Sequence, residues 1–141
     1  MKTYFTFLII FILLSAACVH AQISIIANKS VPVNSIEMGN VNQIYLLKAR
    51  TWSNGTSINP IILKSENETC KQFFSALGTD FMEMKKFWMK LQLTGAGKPP
   101  EGVGSEDEVI SKVESTPGAI GFVNASKVNS KVKVLLTFQV D

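Results

Sequence analysis

Between Tyr4 and Ala17 the chain carries no charged residue, and this one stretch decides how much of the rest is free to fold. Lys2 precedes it, its apolar centre runs from Phe5 to Leu14, and Ser15, Ala16 and Ala17 follow. Val19-His20-Ala21 then offers a small-residue exit before Gln22. A positive start, a short apolar centre and a small-residue exit are the three parts of a secretory signal peptide. The stretch falls short of the roughly 20 apolar residues that a membrane span needs. Residues 1–21 are therefore expected to be an export address, cut after Ala21, and residues 22–141 a single domain. The expected destination is periplasmic or secreted. Ser15-Ala16-Ala17-Cys18 offers an alternative, since it is similar to a lipobox with serine in place of the usual leucine, and lipid on Cys18 would anchor the protein to a membrane.

Cleavage changes the chemical inventory. His20 is the only histidine, and Cys18 is one of only two cysteines. A domain without histidine cannot run Ser-His-Asp or Cys-His catalysis, nor build a zinc site from His and Cys ligands. Cys70, left alone, cannot close an internal disulfide; it reads as a small buried hydrophobe, with an intermolecular bridge as the alternative. Glu83, Glu101, Glu106, Asp107, Glu108 and Glu114 are the acids from which a paired-carboxylate hydrolase could be drawn. Yet Ser105 followed by Glu106-Asp107-Glu108 reads as the start of a helix, with Ser105 as cap and Glu108 closing a capping box. The expectation is a protein with no catalytic residue, no metal and no cofactor. The net charge of +3 and pI near 8.9 rest on scattered lysines and the single Arg50, so no nucleic-acid partner is expected. With 46% hydrophobic and 18% charged residues the chain can still fill a core.

The punctuation of the remaining chain predicts its elements. Ile23 to Ala27 is a short β-prone run, ended by Asn28-Lys29-Ser30. Ser35 to Lys48 has a rough helical period through Ile36, Val41, Ile44, Tyr45 and Leu47, interrupted by Gly39. Trp52-Ser53-Asn54-Gly55 marks a turn, and Ile61-Ile62-Leu63 a strand. Glu68 to Leu77 predicts a helix stopped at Gly78. Asp80 then caps another, whose Phe81, Met84, Trp88 and Leu91 form an apolar stripe read as core rather than as a ligand box. Thr94 to Pro100 is a loop; its Gly97-Lys98 lacks P-loop spacing. A helix from Ser105 to Ser115, a turn at Pro117-Gly118 and a buried strand from Ala119 to Val123 follow. In the tail, Val132, Val134, Leu136, Phe138 and Val140 are expected to face one way. Lys131, Lys133, Thr137 and Gln139 face the other, with Leu135 the apolar exception. Helices interspersed with short apolar strands make an α/β domain.

Read in order, Trp52…Gly55, Ile58-Asn59-Pro60-Ile61, Phe73…Gly78, Phe87-Trp88, Leu93-Thr94-Gly95-x-Gly97-x-Pro99-Pro100, Glu106-x-Glu108-Val109 and Pro117-Gly118-Ala119-Ile120-Gly121-Phe122 resemble the phosphate-type substrate-binding proteins of ABC transporters. The resemblance runs from about Ile23 to Leu135 and is nearest to their short, single-lobe relatives. It implies one lobe of a periplasmic-binding type 2 fold, with helices packed on a mixed β-sheet. It also implies phosphate or another oxyanion as ligand, and a membrane permease or partner subunit, with an oligomer open. The family's anion site uses hydroxyls, helix-start amides, an aspartate and an arginine, partly from an Arg…Ser-Gly-Thr stretch before a phenylalanine. Aligned on Phe73, Thr69 keeps the hydroxyl, Asn67 stands for the serine and Glu68 for the glycine. Ser65 is a nearby hydroxyl, and only Lys64 or Lys71 could supply the arginine's charge. The ligand residues so implied are Ser65, Asn67, Thr69 and Lys71. Capping of the next helix by Ser65 or Asn67 is the structural alternative. The functional alternative is an envelope interaction or accessory protein that keeps the fold and has lost the ligand.

Overall fold

The computed structural model describes residues 21–140; Cys18 and all of the expected signal peptide but its last residue, Ala21, lie outside the described residues. In chain order the elements are β1 (Gln22–Ala27), α1 (Met38–Tyr45), β2 (Asn59–Leu63), α2 (Glu68–Ala76), α3 (Phe81–Leu93), β3 (Glu101–Val103), α4 (Glu106–Ser115), β4 (Ala119–Asn124) and β5 (Lys133–Gln139). A single 3-10 turn, Ala125–Lys127, follows β4. The fold is α/β, with a mixed five-stranded sheet in the order β3-β2-β4-β1-β5. β2 runs parallel to both β3 and β4, while β1 is antiparallel to β4 and β5.

Both faces of the sheet are covered, which is why β1 from Ile23 and β4 to Val123 are buried residue after residue, Ser24 included. On one face α4 lies over Gly121, where an added Cβ would come within 2.8 Å of Val109 Cγ1. On the other face Phe122 stacks on Phe73 of α2, their centroids 3.8 Å apart. Tyr45, Phe74, Phe81 and Trp88 extend that aromatic cluster through α1 and α3. The Phe81, Met84, Trp88 stripe is buried core, with Leu91 at its half-buried edge.

Local signals placed most helix ends. Asn67, Asp80 and Ser105 cap α2, α3 and α4 by accepting the backbone N–H of Cys70, Glu83 and Glu108. Gly78 takes the left-handed conformation (φ 77°) that ends α2, and Gly118 (φ 74°) turns so tightly that a Cβ would lie 2.1 Å from the Ser57 carbonyl oxygen. The first helix is shorter than its sequence period suggests: α1 has eight residues and ends where Leu47 itself turns left-handed (φ 59°).

The C-terminal strand departs from the expected alternation. Ile25 pairs with Leu136 but Ile26 with Val134, so Leu135 is the extra residue of a β-bulge. The bulge turns Leu135 into the core at 4% exposure and leaves Val134 outside at 40%. β3, three residues at the sheet edge with Glu101 exposed and Gly102 and Val103 half-buried, exists because β2 offers a partner and not because its sequence favours a strand. The asparagines of all four Asn-x-Ser/Thr triplets accept a nearby backbone N–H: Asn28 from Ser30, Asn54 from Thr56, Asn67 from Cys70 and Asn124 from Ser126.

Candidate functional site

In an open α/β sheet, ligands bind beyond the carboxyl ends of the strands, where neighbouring strands send their connections in opposite directions. Here that point lies between β2 and β4. After β2 the chain leaves through α2 and α3 toward β3; after β4 it leaves past β1 toward β5. The segments that meet there are Lys64–Asn67, the start of α2, the start of α4 and the end of β4.

Asn67 holds the start of α2 by accepting the Cys70 N–H at 2.8 Å. That occupies its Oδ1, while its Nδ2 donates to Glu106 Oε2 at 3.3 Å. Of the two roles expected for Asn67, the cap is the one observed. Thr69, in the first turn, is buried at 6% exposure. Ser65 is exposed in the loop before the helix. Lys71 is exposed one turn beyond Asn67, on the same side of α2. Ser65, Asn67 and Thr69 thus follow β2 at the switch point, with Lys71 further along α2. Lys64 is set apart: its Cγ lies 3.0 Å from where a Cβ on Gly102 would be, so it leans over β3, away from β4.

Of the acids, Glu68 runs along its own helix to accept Gln72 Nε2 at 3.2 Å. Glu66 lies close enough to Cys70 to act on its thiol. Burial, and then the negative charge of Glu66, push that thiol up to about 12. Cys70 is fully buried, which matches the hydrophobe reading and denies the thiol to an intermolecular bridge in the folded state. Glu108 does not complete the expected capping box. Its carboxylate accepts the N–H of Gly104 at 2.8 Å, one residue before the cap.

Glu106 is the residue whose role the sequence did not disclose. Its position at the start of α4 is explained by the helix dipole alone. In the fold its Oε1 accepts the Asn124 N–H at 2.6 Å, and its Oε2 accepts Asn67 Nδ2 at 3.3 Å. One carboxylate therefore ties α4 to the ends of both β4 and α2. The available signal was a pair of cap-forming asparagines, Asn67 after β2 and Asn124 at the end of β4.

The fold is that of one lobe of a phosphate-type substrate-binding protein. An ABC-type phosphate transport receptor from Vibrio cholerae superposes with a TM-score of 0.65 at 17% identity, covering 82% of this chain and 45% of its own. A protein from Clostridium perfringens, assigned as a phosphate ABC transporter substrate-binding protein and solved with bound phosphate, gives 0.64 at 20% identity, with 82% and 44% covered. PstS from Borrelia burgdorferi gives 0.57 at 18% identity, with 82% and 47% covered. The lobe thus spans less than half the length of these solved structures. No protein-family profile matches the chain, and no curated protein matches its sequence. Among the described residues there is no cluster of three or more His, Cys, Asp or Glu able to hold a metal, and no helix long and apolar enough to cross a membrane.

Proposed function

We propose that residues 22–141 form an exported oxyanion-binding domain that captures phosphate at the carboxyl ends of β2 and β4 for an ABC-type permease. The observation that supports this reading is the likeness of the whole lobe to phosphate-binding proteins, combined with the start of α2 lying at the switch point. The first-turn N–H groups of a helix stabilise a desolvated anion without a full counter-charge. In this reading Thr69 and Ser65 donate hydroxyl hydrogen bonds, Asn67 donates through Nδ2, and Lys71 supplies positive charge. In this reading a second lobe, a partner subunit or a second copy of the chain provides the other wall of the cleft. Residues 1–21 act as the export signal.

The test is a calorimetric titration of the purified 22–141 chain with phosphate, using sulfate as control. Saturable, phosphate-selective heat is expected, and Thr69→Ala should weaken it about tenfold, the effect of one hydrogen bond to a charged group. Flat traces with both anions, from protein with a cooperative unfolding transition, would overturn capture by the native chain.

A further inference from the structure

Glu106 occupies the space between the two strand ends with the same kind of group that an oxyanion ligand would bring. It sits in the first turn of α4, from which a side chain could extend into water; instead it reaches across to two other elements. Its partners are a backbone N–H at the end of β4 and a side-chain amide at the start of α2, both neutral donors. Among the described residues no Lys or Arg forms an ion pair with it. Lys127 is 3.7 Å from Asp107 instead, and Lys112 is 2.9 Å from Glu101. A carboxylate held by uncharged amides at converging helix starts is in the electrostatic situation of a bound anion. It also satisfies donors that would otherwise be left open in the free lobe.

We propose that Glu106 is a built-in occupant of the anion site, which an incoming phosphate must displace from Asn67 and Asn124. This rests on the oxyanion-binding reading above and adds a competitor to it. While the carboxylate is in place, the Asn67 amide is engaged and a negative charge stands where phosphate would carry its own, so like charges oppose entry. Rotation of the Glu106 side chain toward water removes both obstacles at once. The pair of amides then becomes available, and the ligand joins the start of α2 to the end of β4 in place of the glutamate.

The experiment is phosphate titration of native protein, Glu106→Ala and Glu106→Gln by calorimetry, alongside amide resonances of the native protein by NMR. Removing the carboxylate should tighten phosphate binding by at least about tenfold, one decade in Kd. Glu106→Gln, which keeps the side chain's size and loses only its charge, should fall between the two. In the native protein the Asn124 amide resonance should shift as phosphate saturates, since its acceptor changes. Folded variants that both bind phosphate no more tightly than native protein, or an Asn124 resonance that stays fixed at saturation, would overturn the inference and leave phosphate capture standing. Absence of binding in all three proteins would overturn both. Binding by the variants alone would establish Glu106 as the occupant while refuting capture by the native chain.

Discussion

Helix α2 belongs to two different regions. Its second half drives Phe73 and Phe74 into the aromatic cluster, where Phe73 stacks on Phe122 and both rings are fully buried. Its first turn, from Asn67 to Thr69, opens onto the polar rim with Ser65, Glu106 and Asn124. In the cluster the polar atoms are consumed locally: the Tyr45 hydroxyl donates to the Ile61 carbonyl and Trp88 Nε1 to the Tyr45 carbonyl. Among the described residues no buried side-chain nitrogen or oxygen is left without a partner. On the rim the polar groups bond across elements and remain within reach of water, so they can exchange partners. Stability is concentrated in the first region and adaptability in the second, and one helix carries both.

The strongest way to break this division is to damage the core. Phe73→Ala should cost about 3–5 kcal/mol of stability, the usual range for a buried phenylalanine truncated to alanine. Urea unfolding would read it as a lower midpoint with an unchanged slope. A midpoint within error of native would show that the aromatic cluster does not carry the fold. Asn67→Ala addresses the rim. It should cost about 1 kcal/mol, the loss of one helix cap, while weakening phosphate binding more than any core substitution that leaves the protein folded. Asn67→Asp sharpens the contrast: it restores the cap but sets a second carboxylate against Glu106, so stability should recover and phosphate affinity should not.

The smallest expected effect concerns pH. Burial raises the Cys70 thiol to about 12, above its ordinary value near 8.5, so the folded state favours the neutral form. Its contribution to stability is complete below the ordinary thiol range and fades as pH rises toward about 12. Urea midpoints measured from neutral to alkaline pH should fall in native protein and fall less in Cys70→Ala. A thiol reagent should leave folded protein unmodified and label it once urea unfolds it.

Much of the architecture was legible because its signals are local. Asp80 accepts the Glu83 N–H and Ser105 that of Glu108, each three residues on, and Gly78 needs no more than its own backbone freedom. The punctuated series from Trp52 to Phe122 carried the fold as well, and the likeness of the whole lobe to solved phosphate-binding structures agrees with it. Three features escaped for one shared reason. The bulge at Leu135, the edge strand Glu101–Val103 and the early end of α1 at Leu47 are each set by a partner distant in sequence. Gly97 illustrates the last case, since an added Cβ there would sit 3.1 Å from Leu47 Cδ1.

The sequence by itself determined which residues build the helices, where most of them begin, and which apolar stripe each buries. Those outcomes depend on hydrogen bonds and side-chain spacing within a few residues. Only the tertiary structure decided that Glu106 would leave the dipole of its own helix to bridge Asn67 and Asn124, 39 residues before it and 18 after it. A carboxylate goes to the strongest donors within reach, and which donors those are is fixed by the sheet order that brings β2 and β4 side by side.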